Sequence, residues 1–338
     1  MDYKDRFTAS LLAAAVGDAM GAATETFTQD MIRERFGGPV HDILTPGDDV
    51  FAHGFPRGSV TDDFSLAYST AQAIIKHNGR VDEETAADAL LSWAETPYYS
   101  MAGPTTRAAV NRLKGEETTS FYDFLSVDNS KASNGGAMKI APVGLNSFGD
   151  TNKAIVDAIM LCLPTHNNST ALAAACAVSC AISAALKDNA TVDDMIRFGC
   201  LGAEAGEEFG IKTGVALACP SVRKRIMLAV SIAEKHKGNM DETMRELADI
   251  IGCGLAAAEA VPTAFGILKA CEGRTMEGIY AGVNIGNDTD TIATIVGAMC
   301  GALNGTEPGL MKYLPLIDEV NGFDIEKTAA AMAELPHE

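Results

Sequence analysis

Apolar residues recur at helical spacing along most of this chain of 338 residues, and the two-residue alternation of a half-buried strand is nearly absent. This contrast restricts the fold class to all-α. No shift in composition divides the chain, so one compact domain is predicted over 1–338. The stretches 21–60 and 115–150 are rich in Gly, Pro, Asp and Ser and are predicted to be functional loops. A first helix is predicted to end at Gly17 and Asp18, and a second to run from the motif at 61 to about 77. Further helices are predicted over 82–95, 105–114, 151–162, 169–187, 191–207, 220–236, 241–251, 255–272, 276–284, 291–304 and 309–319.

The charge balance excludes two classes of partner. Lys and Arg number 26 against 45 Asp and Glu, which gives a formal net charge of −19. Nucleic acids and anionic membranes bind cationic surfaces, so neither a nucleic acid duplex nor a membrane is predicted as a partner. The most membrane-like run, 171–186, has 16 residues. A membrane span needs roughly 20, so this run is predicted to be a buried helix.

The cysteines and the N-terminus indicate the compartment. Eight cysteines lie mostly in Ala-rich apolar stretches, and none forms a C-x-x-C pair. A zinc site or a disulfide framework is the alternative, but the spacing favours buried reduced thiols. The N-terminus lacks the basic, apolar and small-residue order of a signal peptide. A cytoplasmic location is therefore predicted.

Two predicted helices begin with the same oxygen-rich chemistry. The first start offers Thr61, Asp62 and Asp63, and the second offers Asp288, Asp290 and Thr291. Capping explains either cluster alone, although one cap needs only one such residue. If the two starts face each other, four carboxylates converge and need a counter-cation. Oxygen ligands of this kind select Mg²⁺, Mn²⁺ or Ca²⁺. Capping and metal binding both remain open from these residues alone.

Five motifs carry a resemblance to a known family: "GDAMGAATE" at 17–25, "TDDFSLA" at 61–67, "SNGGAMKIAPVGL" at 133–145, "THNNSTALAAA" at 165–175 and "GNDTDTIATIVGAMCGALNG" at 286–305. In this order, over roughly residues 5–305, they resemble the ADP-ribosylglycohydrolase family. The resemblance implies an orthogonal helical bundle around two Mg²⁺ (or Mn²⁺) ions. It also implies hydrolysis of an N- or O-glycosidic bond at the anomeric carbon of ADP-ribose, with an ADP-ribosyl conjugate or an ADP-ribosylated protein as substrate.

The resemblance also implies residue roles. The metal ligands are Thr61, Asp62, Asp63, Asp288, Asp290 and Thr291. The catalytic acids are Asp62 and Asp63, which would orient the attacking water or take its proton, and Glu25. The substrate residues are Gly103, Thr105, Ser133, Asn134, Gly135, Gly136, Ala137, Met138 and His166.

Residues alone leave several of these roles open. The Gly-rich segment from Ser133 to Met138 is either an ordinary turn or a nest of N–H groups for a diphosphate. Glu25 is either a solvated loop carboxylate or an acid with a direct role, and His166 is either a cap or interior group, or a substrate contact. The segment "IIGCGLAAAEA" at 250–260 imitates a dinucleotide motif, but it lies in helical periodicity, so close helix packing is predicted there.

Three positions depart from the family pattern. Phe64 stands where Thr is common, Asn287 where Gly is usual, and Lys139 where Arg is common. These departures leave open a smaller ribosyl conjugate as substrate, either a nucleoside or a nucleotide. A non-catalytic ADP-ribose-binding or structural protein is the alternative of another class. It is less supported, because the four aspartates and two threonines are all present.

Overall fold

The computed structural model describes residues 2–116 and 125–337, and within them it contains helices but no β-strand. The prediction of an all-α fold is therefore confirmed. The helices are α1 (Tyr3–Gly21), α2 (Gln29–Phe36), α3 (Asp62–Lys76), α4 (Glu83–Trp93), α5 (Pro104–Leu113), α6 (Ala141–Asn146), α7 (Thr151–His166), α8 (Ser169–Ala185), α9 (Val192–Thr213), α10 (Val222–Lys235), α11 (Met240–Glu246), α12 (Ala257–Ala270), α13 (Thr275–Asn284), α14 (Thr289–Asn304), α15 (Pro308–Met311), α16 (Leu314–Asn321) and α17 (Ile325–Ala333).

Short polar residues fix where several helices begin. Asp82 accepts a hydrogen bond from the Thr85 N–H at 3.0 Å at the start of α4, and Asn168 accepts one from the Ala171 N–H at 2.9 Å at the start of α8. The first N–H groups of a helix have no partner within it, so such caps stabilise these starts.

Small residues let α1 and α14 pack with their backbones nearly in contact. A Cβ atom on Gly17 would lie 2.4 Å from the Ala293 carbonyl oxygen, and one on Gly301 would lie 2.4 Å from that of Ala9. The helices therefore run antiparallel, with the end of α1 beside the start of α14. This pairing brings the loop that follows α1 to the start of the second acidic motif.

The apolar run predicted to be a buried helix forms α8, whose residues are all buried. Its partner α9 approaches it through glycines: a Cβ on Gly202 would lie 2.4 Å from the Cys176 carbonyl oxygen, and one on Gly206 would lie 2.4 Å from that of Leu172. Each helix in the described residues is too short or too polar to span a membrane. The eight cysteines are free thiols, five of them buried.

Some predicted boundaries are wrong. Helix α1 continues past Gly17 and Asp18 to Gly21, because Gly17 packs on α14 and the Asp18 carboxylate bonds to a different helix. Helices α2 and α6 lie in stretches predicted to be loops. Thr28 caps α2 by accepting from the Met31 N–H at 3.2 Å, and α6 is too short to show periodicity. Residues 117–124 of the predicted loop at 115–150 lie outside the described residues.

The helices of the C-terminal third also differ from the prediction. The helix predicted over 309–319 is two helices, α15 and α16, separated at Lys312 and Tyr313, and α17 follows as a helix that was not predicted. The helix predicted over 241–251 changes to a π-helical turn at Leu247–Ile251, and α12 begins only at Ala257.

Candidate active site

The start of α3 is held by two side chains that leave its aspartates unused as caps. Thr61 accepts a hydrogen bond from the Asp63 N–H at 3.2 Å. Asp18, from α1, accepts from the N–H groups of Thr61 at 2.9 Å and Phe64 at 2.8 Å. Among the described residues, Asp63 Oδ2 is buried and has no hydrogen-bond partner. Capping therefore accounts for Thr61 and Asp18, but not for Asp62 or Asp63.

At the start of α14, as at the start of α3, the aspartates are not used only as caps. Asp288 stands at the cap position, but its side chain accepts no capping hydrogen bond from a backbone N–H of its own helix. Its carboxylate accepts a hydrogen bond from Asn134 Nδ2, and its N–H donates to the Cys253 carbonyl oxygen at 3.0 Å. Asp290 Oδ1 is buried without a hydrogen-bond partner in the described part of the chain. Capping therefore does not account for the Asp288 side chain or for the unpartnered oxygen of Asp290.

Two backbone hydrogen bonds fix the loop of Glu25 to the second motif. The Thr26 N–H donates to the Asn287 carbonyl at 2.7 Å, and the Asn287 N–H donates to the Phe27 carbonyl at 2.8 Å. Asn287 has a φ of 60°, in the left-handed region that Asn tolerates better than most residues. The departure from Gly at position 287 is therefore compatible with this turn.

The two acidic motifs meet at these helix starts. One carboxylate oxygen from each of Glu25, Asp288 and Asp290 lies within 4.8 Å of the others, and the three residues are buried. The Thr61 hydroxyl lies close enough to Asp290 to lower the pKa of that carboxyl, and the charge of Asp290 in turn acts on Asp62 and Asp63. The Thr291 hydroxyl has the same lowering effect on the pKa of Asp288.

Burial and crowding perturb the acid–base behaviour of the carboxyls. Burial, followed by the charges of Asp290 and Asp288, raises the pKa of Glu25 to about 10. Burial and Asp290 raise the pKa of Asp62 to about 7, against the opposing effect of the Arg107 cation. Burial is also the main cause of the raised pKa values of the other four carboxyls, which are Asp18, Asp63, Asp288 and Asp290.

These properties match a site for hard divalent cations. Six carboxyl groups in one largely buried cluster cannot all ionise without added positive charge. Carboxylate and hydroxyl oxygens are the ligands that Mg²⁺, Mn²⁺ and Ca²⁺ prefer. The unpartnered oxygens of Asp63 and Asp290 are donor atoms that the protein itself does not use. The residues present therefore fit bound divalent ions.

The Gly-rich segment is joined to this cluster through Asn134. Its N–H donates to the Leu255 carbonyl at 2.9 Å, while its side chain reaches Asp288. The N–H of Ala137 donates within the turn to the Asn134 carbonyl at 2.7 Å. Ala137 and Met138 are buried in the hydrophobic core, and Gly136 is also buried.

His166 lies under the same segment. Its Nε2 is 3.0 Å from the Ser133 hydroxyl, and a Cβ on Gly135 would lie 2.9 Å from its Cε1. Burial, followed by the charge of Lys139, lowers the pKa of His166 to about 3, so the ring is neutral at physiological pH. Lys139 is itself buried and donates to the Thr165 hydroxyl at 3.0 Å.

Gly103 and Thr105 are placed at the start of α5 and make no hydrogen bond to the acidic cluster within the described residues. A Cβ on Gly103 would meet no atom within 4 Å, so this start faces open space. Its link to the cluster is Arg107, on the same helix, whose charge acts on Asp62.

The sequence did not reveal two supports of the site. Asp18 holds the start of α3; it lies in the first of the five motifs, but no role is predicted for it from the sequence. The prediction of helix packing for 250–260 is wrong at 252–256, where a turn supplies the carbonyl groups that receive the N–H groups of Asn134 and Asp288.

Fold and site together define an all-α protein with a buried acidic centre of the kind that binds divalent cations. A family model described as ADP-ribosylglycohydrolase matches residues 1–335. The chain belongs to this family, and it is accordingly a hydrolase of the glycosidase type. Members of the family hydrolyse ADP-ribose conjugates and generally depend on metal.

Individual relatives match different shares of the chain. The uncharacterized protein YegU of Escherichia coli (strain K12) is 28% identical over 98% of this chain and 97% of its own. The ADP-ribosylarginine hydrolase Tri1 of Pseudomonas putida (strain GB-1) is 25% identical over 89% and 71%. The ADP-ribosyl-[dinitrogen reductase] glycohydrolase of Rhodospirillum rubrum is 28% identical over 43% and 46%. A solved structure titled "ADP-ribosylglycohydrolase-related protein complex" matches 99% of both chains with a TM-score of 0.64 and 21% identity, which supports the fold.

Proposed function

We propose that this protein hydrolyses the glycosidic bond at the anomeric carbon of an ADP-ribose conjugate and that it uses two divalent cations, Mg²⁺ or Mn²⁺. The observation that carries the proposal is the convergence of Glu25, Asp288 and Asp290, with oxygens within 4.8 Å of one another, on the motif that holds Asp62 and Asp63. The cations would be held by Thr61, Asp62, Asp63, Asp288, Asp290 and Thr291. When bound, such ions supply positive charge that offsets the carboxylates and increases the acidity of water.

The carboxylates themselves suit the chemistry of a ribosyl bond. The transition state places positive charge on the sugar, which nearby carboxylates stabilise. Asp62 is the partly exposed member of the six acids, so water and substrate can approach over it. We assign Asp62 and Asp63 to orient the attacking water and accept its proton. Glu25 has a carboxylate oxygen within 4.8 Å of oxygens of Asp288 and Asp290, where it can contribute to ion binding and to orientation of the ribose.

The substrate residues form two groups around the acids. The Gly-rich turn, with Ser133 and His166, contacts the cluster through Asn134, and we assign it to the ADP-ribosyl group. Gly103 and Thr105, at the start of α5, would contact a more distant part of the substrate. This assignment predicts that the turn contributes more to catalysis than the start of α5.

The smaller ribosyl substrate receives no specific support from the three departures. The Phe64 side chain is buried and packs against Phe323, with ring centroids 5.7 Å apart. Lys139 is buried and donates to the Thr165 hydroxyl, and Asn287 occupies a left-handed turn. Each departure has a local structural setting, so none of them indicates a smaller substrate.

The proposal is tested with Asp62→Asn and Asp290→Asn. Both variants are expected to lose at least about 100-fold of the Mn²⁺-dependent release of ADP-ribose, because each removes a charge that the reaction needs. Asp157→Asn is the matched control, since Asp157 is a buried carboxylate of α7 paired with Lys153. The substrate panel contains ADP-ribosylated arginine and serine peptides, nucleosides and nucleotides. Full activity in both site variants would refute the proposal. Turnover of nucleosides alone would show that the substrate is a nucleoside and not an ADP-ribose conjugate.

A further inference from the structure

The chain enters α3 through a buried segment, Gly58–Val60, whose backbone needs hydrogen-bond partners. Local bonds supply only part of the requirement, as when the Ser59 N–H donates to the Pro56 carbonyl at 3.1 Å. Asp18 holds the next residues, as described above. The remaining partner comes from the far end of the chain, at Asn321, the last residue of α16.

The side-chain amide of Asn321 bonds to this segment on both sides. Its Oδ1 accepts from the Val60 N–H at 3.0 Å and from the Tyr98 hydroxyl at 2.7 Å. Its Nδ2 donates to the Gly58 carbonyl at 2.9 Å and to the Ile317 carbonyl at 2.8 Å. Both donors and both acceptor positions of the amide are therefore used.

Packing around this segment does not by itself satisfy its backbone groups. Leu316 lies against Gly58, where a Cβ would come 2.8 Å from its Cγ. On another side, a cavity of about 590 Å³ borders Tyr98, Asn321 and Phe323. The cavity borders the amide and its partner Tyr98, whereas Gly58 and Val60 are buried, where their carbonyl and N–H groups still need the bonds that the amide supplies. The amide of Asn321 therefore supplies fixed hydrogen bonds to the backbone on both sides of Ser59.

We propose that Asn321 is a positioning residue for the cation site. By holding Gly58 and Val60, it sets where the following residues, Thr61, Asp62 and Asp63, stand relative to Asp290. This inference rests on the proposed function, because it takes the first acidic motif as a ligand set. It adds to the site a residue from the C-terminal part of the chain, which lies beyond both acidic motifs in the sequence.

The test compares direct Mn²⁺ binding in the wild-type protein and in Asn321→Leu. Electron paramagnetic resonance measures free Mn²⁺ without substrate, and thermal unfolding is followed separately. The Kd for Mn²⁺ is expected to rise about tenfold or more, since residues that orient metal ligands commonly have effects of this size. Activity at limiting Mn²⁺ is expected to fall and to recover as Mn²⁺ is raised.

Asn304→Leu is the matched control. Asn304 also ends a helix, and its Nδ2 donates to the Cys300 carbonyl at 3.1 Å and to the Gly273 carbonyl at 2.6 Å. It lies at the opposite end of α14 from Asp290, so this variant is expected to lose stability while its Kd for Mn²⁺ stays unchanged.

The outcomes separate the inference from the proposed function. A folded Asn321→Leu protein with the wild-type Kd overturns the inference alone. Wild-type protein that binds no Mn²⁺ overturns the proposed function and the inference with it. If Asn321→Leu does not fold, Asn321→Asp replaces it, because that variant keeps the acceptor for Val60 and Tyr98 and puts a carboxylate oxygen in place of the donor to the Gly58 and Ile317 carbonyls. Its Kd is expected to rise a few-fold, and an unchanged Kd is again decisive against the inference.

Discussion

The acidity of Glu25 is set by its surroundings. The side chain is buried, and burial together with the charges of Asp290 and Asp288 raises its pKa to about 10. A carboxyl with this pKa is protonated at neutral pH unless a nearby cation favours the ionised form. The protonation of Glu25 is therefore linked to cation binding and to folding stability.

This linkage predicts how the stability of metal-free protein depends on pH. The folded-state pKa of Glu25 exceeds the usual value of 4.5, so the folded protein binds more protons than the unfolded chain between pH 4.5 and about 10. Stability must then fall as pH rises through that window. Thermal unfolding in EDTA is expected to give a lower Tm at pH 8.5 than at pH 6.5. Glu25→Gln is expected to reduce this slope, and an unaltered slope would contradict the assigned pKa.

The ligand candidates were visible in the sequence, but their supports were not. Asp62, Asp63, Asp288 and Asp290 stand out locally, because acids and threonines precede an apolar stripe. Whether the two starts meet depends on tertiary packing, which short-range spacing does not encode. Asn321 was missed for the same reason, since its partner Val60 is far away along the chain and no local pattern marks a side chain that bonds to distant backbone.

The α1–α14 pair converts small residues into the geometry of the site. A Cβ on Gly21 would lie 2.5 Å from the Cα and N atoms of Asp290, and one on Gly301 would lie 2.4 Å from the Ala9 carbonyl oxygen. The same kind of backbone contact therefore exists at both ends of the pair, but only one end carries a proposed ligand. This symmetry supplies an internal control.

Gly21→Ala and Gly301→Ala are expected to destabilise the fold by similar amounts and to differ in metal affinity. Each methyl group forces the helices apart at a cost of about 1–3 kcal/mol, partly offset by about 0.5–1 kcal/mol from the better helix propensity of Ala. Only Gly21→Ala displaces Asp290. Urea unfolding measures the stability of both variants, and calorimetry measures their Mn²⁺ binding. Equal Mn²⁺ affinity in the two would show that this contact does not set the site.

The length of a helix decided whether the apolar pattern of its sequence was sufficient to predict it. Helices such as α8 and α14 are long and apolar, and their periodicity was sufficient to predict them. Helix α6 spans six residues and α15 spans four, so neither completes enough turns to show a stripe. The predicted helix over 309–319 merged α15 with α16, since apolar residues continue across the break at Tyr313.

The whole chain combines an excess of acids with a buried acidic centre. Its formal net charge of −19 produces general self-repulsion, which any salt screens. The buried acidic centre adds a specific contribution to the free energy of unfolding, because a divalent cation bound only by the folded protein shifts the folding equilibrium by mass action. The two effects have different dependences on the identity of the cation, so they can be separated experimentally.

Addition of Mn²⁺ or Mg²⁺ is expected to raise the Tm beyond the rise produced by NaCl at the same ionic strength. At a hundredfold excess over Kd, the specific term is about 2.7 kcal/mol. Asp290→Asn is expected to retain the NaCl response and lose the divalent-specific part, because it removes a carboxylate from the buried cluster. Asp157→Asn should keep both responses, since its carboxylate belongs to the pair with Lys153 on α7. Scanning calorimetry measures the shifts. If NaCl and MnCl₂ raised the Tm equally, or if Asp290→Asn kept the divalent response, the acidic centre would act only as part of the general surface charge.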